Sequence, residues 1–166
     1  MSPKDGWTPK GKAATDVVLH TFRANGLFLA AGDLLAADEG LTAARWQVLG
    51  AVVVAGRPLT VPQIARRMGL TRQAVQASVN RLVSEGVVET GENPEHRRSP
   101  LIRITELGSR KYAAIQKRQA AWINELAAGL KRSELATTAR VLQELSDRLD
   151  KDRLDRERTG DDHETP

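Results

Sequence analysis

The chain has 166 residues, 40% apolar and 28% charged, which suits one compact domain with a real core and argues against a membrane-embedded one. It contains no cysteine, which excludes a disulfide framework, thiolate-held metal centres, a cysteine nucleophile and a thiol redox sensor. The net charge of +4 permits a polyanionic partner, and the three scattered histidines (His20, His96, His163) do not make a metal site.

The charge is unevenly spread. Residues 57–104 carry eight basic and four acidic side chains and residues 105–132 six and two, whereas residues 133–166 carry six and ten. A basic middle that faces an anion fits this pattern, although charge alone fits ordinary solvated surface equally well. No apolar run approaches the roughly 20 residues of a membrane span. The first twelve residues are polar and lack the apolar core of an export signal. A cytoplasmic protein without membrane contact is expected.

In chain order, residues 1–14 read as a flexible arm. A helix is expected from Thr15 or Asp16 to Asp38, carrying Val18, Leu19, Phe22, Leu29 and Leu34, with Gly40 beyond its end. Gly26 and Gly32 inside it would let another helix or a ligand approach closely. Thr42 caps a second helix with Trp46, Leu49, Val52 and Val53 on one face, closed by Gly56 and Pro58. Thr60-Val61-Pro62-Gln63 is a capping box opening a short helix that stops at Gly69. Thr71 then caps a helix reaching Glu85. Two short helices joined by a glycine turn make a helix-turn-helix candidate.

Residues 87–90 and 101–104 form a β-hairpin around a long tip containing Arg97 and Arg98. Thr105 caps a long helix ending near Gly129, and a final helix from Ser133 sets Leu135, Leu142, Leu145 and Leu149 on one narrow stripe. Residues 159–166 read as a disordered acidic tail. The fold class is mainly α with a small β-hairpin.

The helix from Thr71 carries the function. Val75, Val79, Leu82 and Val83 point to the core, which leaves Gln73, Gln76, Ala77 and Asn80 outward, flanked by Arg72 and Arg81. Glutamine and asparagine can contact adenine bidentately, a small alanine can meet a thymine methyl, and arginines fix register on phosphates. Arg97 and Arg98 on the hairpin extend the same basic face along a duplex, where an arginine can enter a narrow minor groove.

Several stretches together resemble the MarR (multiple antibiotic resistance regulator) family: Leu41-Thr42-Ala43-Ala44-Arg45-Trp46-Gln47-Val48-Leu49, Leu59 to Ala65, Ala77 to Val88, Asn93-Pro94-Glu95-His96-Arg97-Arg98-Ser99 and Ile104-Thr105-Glu106-Leu107-Gly108. The likeness runs over residues 17–150. It implies a winged helix-turn-helix over 41–104 and dimerisation helices over 15–40 and 105–158. By the same resemblance the chain is a homodimeric transcription factor on a pseudo-palindromic DNA operator, a repressor that a small aromatic effector releases. Arg98 is then the minor-groove arginine. Asn93 and His96 stand where the family usually has aspartates, and an imidazole cannot be the same anionic brace. The absent cysteine removes the chain from the family's peroxide-sensing branch.

Effector candidates are His20, Phe28, Trp46 and Tyr112, on segments where relatives bind ligands. No catalytic constellation, cofactor motif or metal site is visible. Gly6-Trp7-Thr8-Pro9-Lys10-Gly11-Lys12-Ala13 nearly matches a phosphate-binding loop, but it lacks the final hydroxyl and no strand can precede it. The remaining alternative is a winged-helix protein-interaction module without an effector ligand, against which the wing arginines and the Gln/Asn face argue.

Overall fold

The computed structural model describes residues 6–159. The elements are α1 (Pro9–Ala36), a 3-10 turn (Ala37–Glu39), α2 (Ala43–Ala55), α3 (Val61–Met68), α4 (Arg72–Ser84), β1 (Val88–Gly91), β2 (Leu101–Ile104), α5 (Glu106–Leu126) and α6 (Arg132–Thr159). They form two compact units, one through Ala121 and one from Trp122.

Helix α1 starts earlier than expected. Thr8 Oγ1 accepts from the Gly11 amide at 2.9 Å, and Pro9 sits in the first turn, where its fixed φ suits a helix. Six residues expected in the arm, Pro9 to Ala14, are therefore helical, and the phosphate-loop likeness from Gly6 to Ala13 runs into the first turns of α1. The start of the arm and the tail over 160–166 lie outside the described residues, and Thr159 ends α6.

The first unit is built by local caps and one shared core. Thr42 and Thr71 cap α2 and α4 through their hydroxyls, and Thr60 and Gln63 close the reciprocal capping box of α3. Gly56 and Gly69 end α2 and α3 in the left-handed conformation that only glycine adopts freely. The core joins Val48, Leu49 and Val52 of α2, Ile64 of α3, Val75, Val79 and Leu82 of α4, Val88 and Ile102 of the hairpin and Ile115 of α5.

The hairpin pairs antiparallel from Val88 with Ile104 to Gly91 with Leu101. Leu59 forms an isolated antiparallel bridge to the other edge of β2, exchanging both backbone hydrogen bonds with Ile102 at 3.2 and 2.7 Å. The hairpin is thereby tied to the loop before α3. At its root, Thr105 Oγ1 donates to the Gly86 carbonyl at 2.7 Å and accepts from the Gly108 amide at 3.1 Å, which fixes the start of α5. This is a winged helix-turn-helix.

One end of α1 is gripped from two sides. Gly32 is buried against α2, where a Cβ on it would come within 2.9 Å of the Ala43 Cβ. The neighbouring Asp33 carboxylate accepts from the Ala43 amide at 2.7 Å. From α5, Arg118 donates to the Leu35 carbonyl and to Glu39, both at 3.0 Å, and Lys111 donates to the Glu39 carbonyl. Gly32 does what its lack of a side chain suggested; at Gly26, among the described residues, an added Cβ would meet nothing within 4 Å beyond its own helix.

Other positions of α1 carry exposed apolar side chains. Leu19, Phe22, Leu27, Phe28 and Leu34 are all more than half exposed. In the second unit, Leu135 and Leu149 of α6 are exposed, and Leu142 and Leu145 are half-buried. No described helix is long and apolar enough to cross a membrane.

Candidate nucleic-acid interface

Periodicity sets the outward face of α4. Val75, Val79 and Leu82 anchor one side in the core, so residues about 180° away must face out. Arg72, Gln73, Gln76, Ala77, Asn80 and Arg81 are all exposed, as the sequence predicts. Val83 corrects the expected core set: it is 38% exposed, because its turn position lies beside Gln76 rather than behind it. Thr71 is committed to its own helix, accepting from the Ala74 amide at 3.1 Å. Gln76 Nε2 donates to Asn80 Oδ1 at 2.8 Å, so the two amide side chains are aligned along the face.

The far end of α4 holds a charge cluster in which the Arg81–Glu85 pair has i,i+4 spacing and the Arg45–Glu85 pair has no local sequence signal. Arg45 of α2 donates from one terminal nitrogen to both carboxylate oxygens of Glu85, at 2.8 and 2.9 Å. Glu85 Oε1 also accepts from Arg81 Nε at 2.6 Å. Arg45 and Glu85 are largely covered, with side chains 18% and 26% exposed, whereas Arg81 is 67% exposed. Arg81 was expected as a free phosphate contact; its Nε is taken, and its terminal nitrogens are open.

The wing tip is closed by a neutral side chain. Asn93 Oδ1 accepts from the Glu95 amide at 3.1 Å, and its Nδ2 donates to the Ser99 carbonyl at 2.8 Å. The backbone adds His96 N to Asn93 O and Ser99 N to His96 O, at 3.1 and 2.9 Å. An aspartate could make the first side-chain bond and not the second, since a carboxylate has no donor. Among the described residues Arg97 and Arg98 make no hydrogen bond or ion pair, and both are exposed. Arg98 and Ser99 border a groove of about 310 Å³ with Pro62 of α3 and Arg72, Gln73 and Gln76 of α4. Arg98 of the wing thus shares one surface with Arg72, Gln73 and Gln76 of α4.

The four effector candidates do not converge. Trp46 packs half-buried beside Gly32, and Tyr112 of α5 lies against Gly50 of α2. Tyr112 also borders a second groove of about 460 Å³, with Val52, Val53, Pro58, Arg103 and Ile104. His20 is exposed on α1, its Nδ1 2.7 Å from the Asp16 carbonyl, and Phe28 is 55% exposed. Neither borders that groove.

Comparison with known proteins adds to this geometry. Residues 39–99, from the end of the 3-10 turn through the wing tip, match the family model described as the MarR family. An uncharacterized protein of Mycobacterium tuberculosis is 44% identical over 129 residues, 78% of this chain and 89% of that one. Among solved structures, CouR from Rhodococcus jostii bound to p-coumaroyl-CoA has a TM-score of 0.71 at 23% identity, covering 80% of this chain and 93% of that one. The PcaV transcriptional regulator from Streptomyces coelicolor, in complex with its natural ligand, has a TM-score of 0.63 at 25% identity, covering 79% and 94%.

Proposed function

The chain belongs to the MarR family of transcription regulators, and on that premise we propose that it is a homodimeric, sequence-specific DNA-binding repressor that a small aromatic effector releases. Helix α4 reads base edges in the major groove through Gln73, Gln76, Ala77 and Asn80. Arg72 and Arg81 hold phosphates, Arg97 extends the basic face, and Arg98 serves the minor groove beside α4.

The observation that carries this reading is the surface shared by Arg98, Arg72, Gln73 and Gln76, basic and amide-rich at once. Dimerisation through α1 and α6 is supported by the exposed Phe22, Leu34 and Leu149, since uncovered apolar area of this extent favours burial against a two-fold partner. Residues 41–104 then form the DNA-reading part, the flanking helices the dimerisation part, and the operator is pseudo-palindromic. An effector is supported by the ligand-bound states of the CouR and PcaV structures and by the groove at Tyr112.

Selection of duplexes from a random library tests the proposal. The expected result is an inverted-repeat motif bound with a steep salt dependence. Retention of protein partners but of no duplex would favour the protein-interaction module instead.

A further inference from the structure

We propose that Glu85 is a positioning residue for DNA binding, holding the Nε edge of Arg81 so that its two terminal nitrogens face a backbone phosphate. The role rests on the DNA-binding reading above. At about 100° per residue, Arg72 and Arg81 lie on opposite edges of the stripe formed by Gln73, Gln76, Ala77 and Asn80. A helix in a major groove meets a phosphate wall on each side, so each edge arginine addresses a different strand.

The two arginines are not prepared alike. Among the described residues Arg72 has no ion pair, whereas Arg81 is held at 2.6 Å by Glu85 Oε1. Glu85 is itself fixed. It is the C-cap residue of α4, with its amide bonded to the Arg81 carbonyl, and Arg45 grips both carboxylate oxygens from α2. Arg45 in turn lies on the Thr42 hydroxyl that caps α2. Pairing through Nε occupies one of five guanidinium donors and leaves the terminal fork that binds phosphate bidentately. Holding a long side chain in its bound orientation removes part of the ordering cost of association.

The test is a double-mutant cycle of Glu85→Ala and Arg81→Ala in the full chain, read as affinity for a random-sequence 30-base-pair duplex at several salt concentrations. A phosphate contact is independent of sequence, so this probe suffices. The unpaired Arg45 and the changed net charge are common to both backgrounds and cancel in the cycle. Glu85→Ala should weaken binding about threefold to tenfold more when Arg81 is present than when it is alanine. Arg81→Ala should also flatten the salt slope less in the Glu85→Ala chain than in the wild type. Glu85→Gln, which keeps an oxygen for Arg45, is run through the same cycle and decides the matter if Glu85→Ala does not fold. A difference between backgrounds within about twofold overturns the positioning role. So does tighter binding by Glu85→Ala confined to the Arg81 background, which would make Glu85 a competitor of phosphate. A wild-type chain that binds no duplex overturns the DNA reading together with this role.

Discussion

Gly108 on α5 lies so close to the wing root that a Cβ on it would stand 2.1 Å from the Val87 carbonyl oxygen and 2.9 Å from Ile104 Cγ1. A backbone oxygen cannot rotate away as a side-chain tip can, so α5 or the hairpin would have to move. Gly108→Ala should cost about 1–3 kcal/mol, the usual range for overpacking. Urea and thermal unfolding should show it as a lower midpoint with an unchanged two-state shape. A midpoint equal to wild type would show that helix and wing separate freely.

Readout and positioning should come apart on α4. Gln76→Ala should cost about 1–3 kcal/mol and relax preference at one base pair in each half-site. Arg72→Ala should weaken all duplexes alike and reduce the salt slope by about 0.9, one phosphate contact. Repeating the library selection with each variant checks both, and an unchanged motif for Gln76→Ala would move the reading face elsewhere.

For the wing, the sensitive variant is the one that restores the usual family residue. Asn93→Asp keeps an acceptor for the Glu95 amide and loses the donor to the Ser99 carbonyl. Loss of one such bond is worth about 0.5–1.5 kcal/mol of folded-state stability, so the unfolding midpoint should fall slightly and DNA binding should weaken as the tip loosens. Faster amide exchange confined to residues 93–99 would accompany it. Arg98→Ala should weaken sites with A/T-rich flanks more than sites with G/C-rich flanks, and equal losses would rule out the minor groove for Arg98.

Phe22→Glu and Leu149→Glu each place a charge at a side chain that is 70% exposed in the single chain. The monomer fold should tolerate both, so their effect belongs to assembly. Sedimentation should show a shift from dimer toward monomer, with specific DNA binding lost in parallel. Full-affinity operator binding by a monomeric variant would separate assembly from function.

What could be read from the sequence follows from the range of the interactions involved. Thr42, Thr71 and the Thr60–Gln63 box bond within three residues of themselves, so helix starts were legible, as was the face of α4 from its valine and leucine spacing. Thr8 before Pro9 gave the same kind of signal, masked by the polar stretch around it. Val83 was misplaced because one apolar residue too many fits a helical stripe when only one helix is considered. Arg45 and Glu85 are forty residues apart, and Asp33 caps a helix other than its own. Such pairings depend on how helices meet, which spacing along one helix does not encode. The role of Asn93 was half legible: a short-range turn bond is typical of asparagine, whereas its reach to Ser99 depends on the folded tip.

The grip at Gly32, Asp33 and Leu35 makes α1 a lever with its fulcrum near one end. From Gly32 to Leu19 the arm is about 20 Å long, and to Pro9 about 35 Å, at 1.5 Å per residue. A sideways shift of about 5 Å at Leu19 therefore turns α1 by about 15° at the point where it bears on α2. Helix α2 shares its core with α3 and α4. A turn of α1 at this grip bears on the helix whose core partners include α4, so tilting the arm is expected to tilt α4 with it.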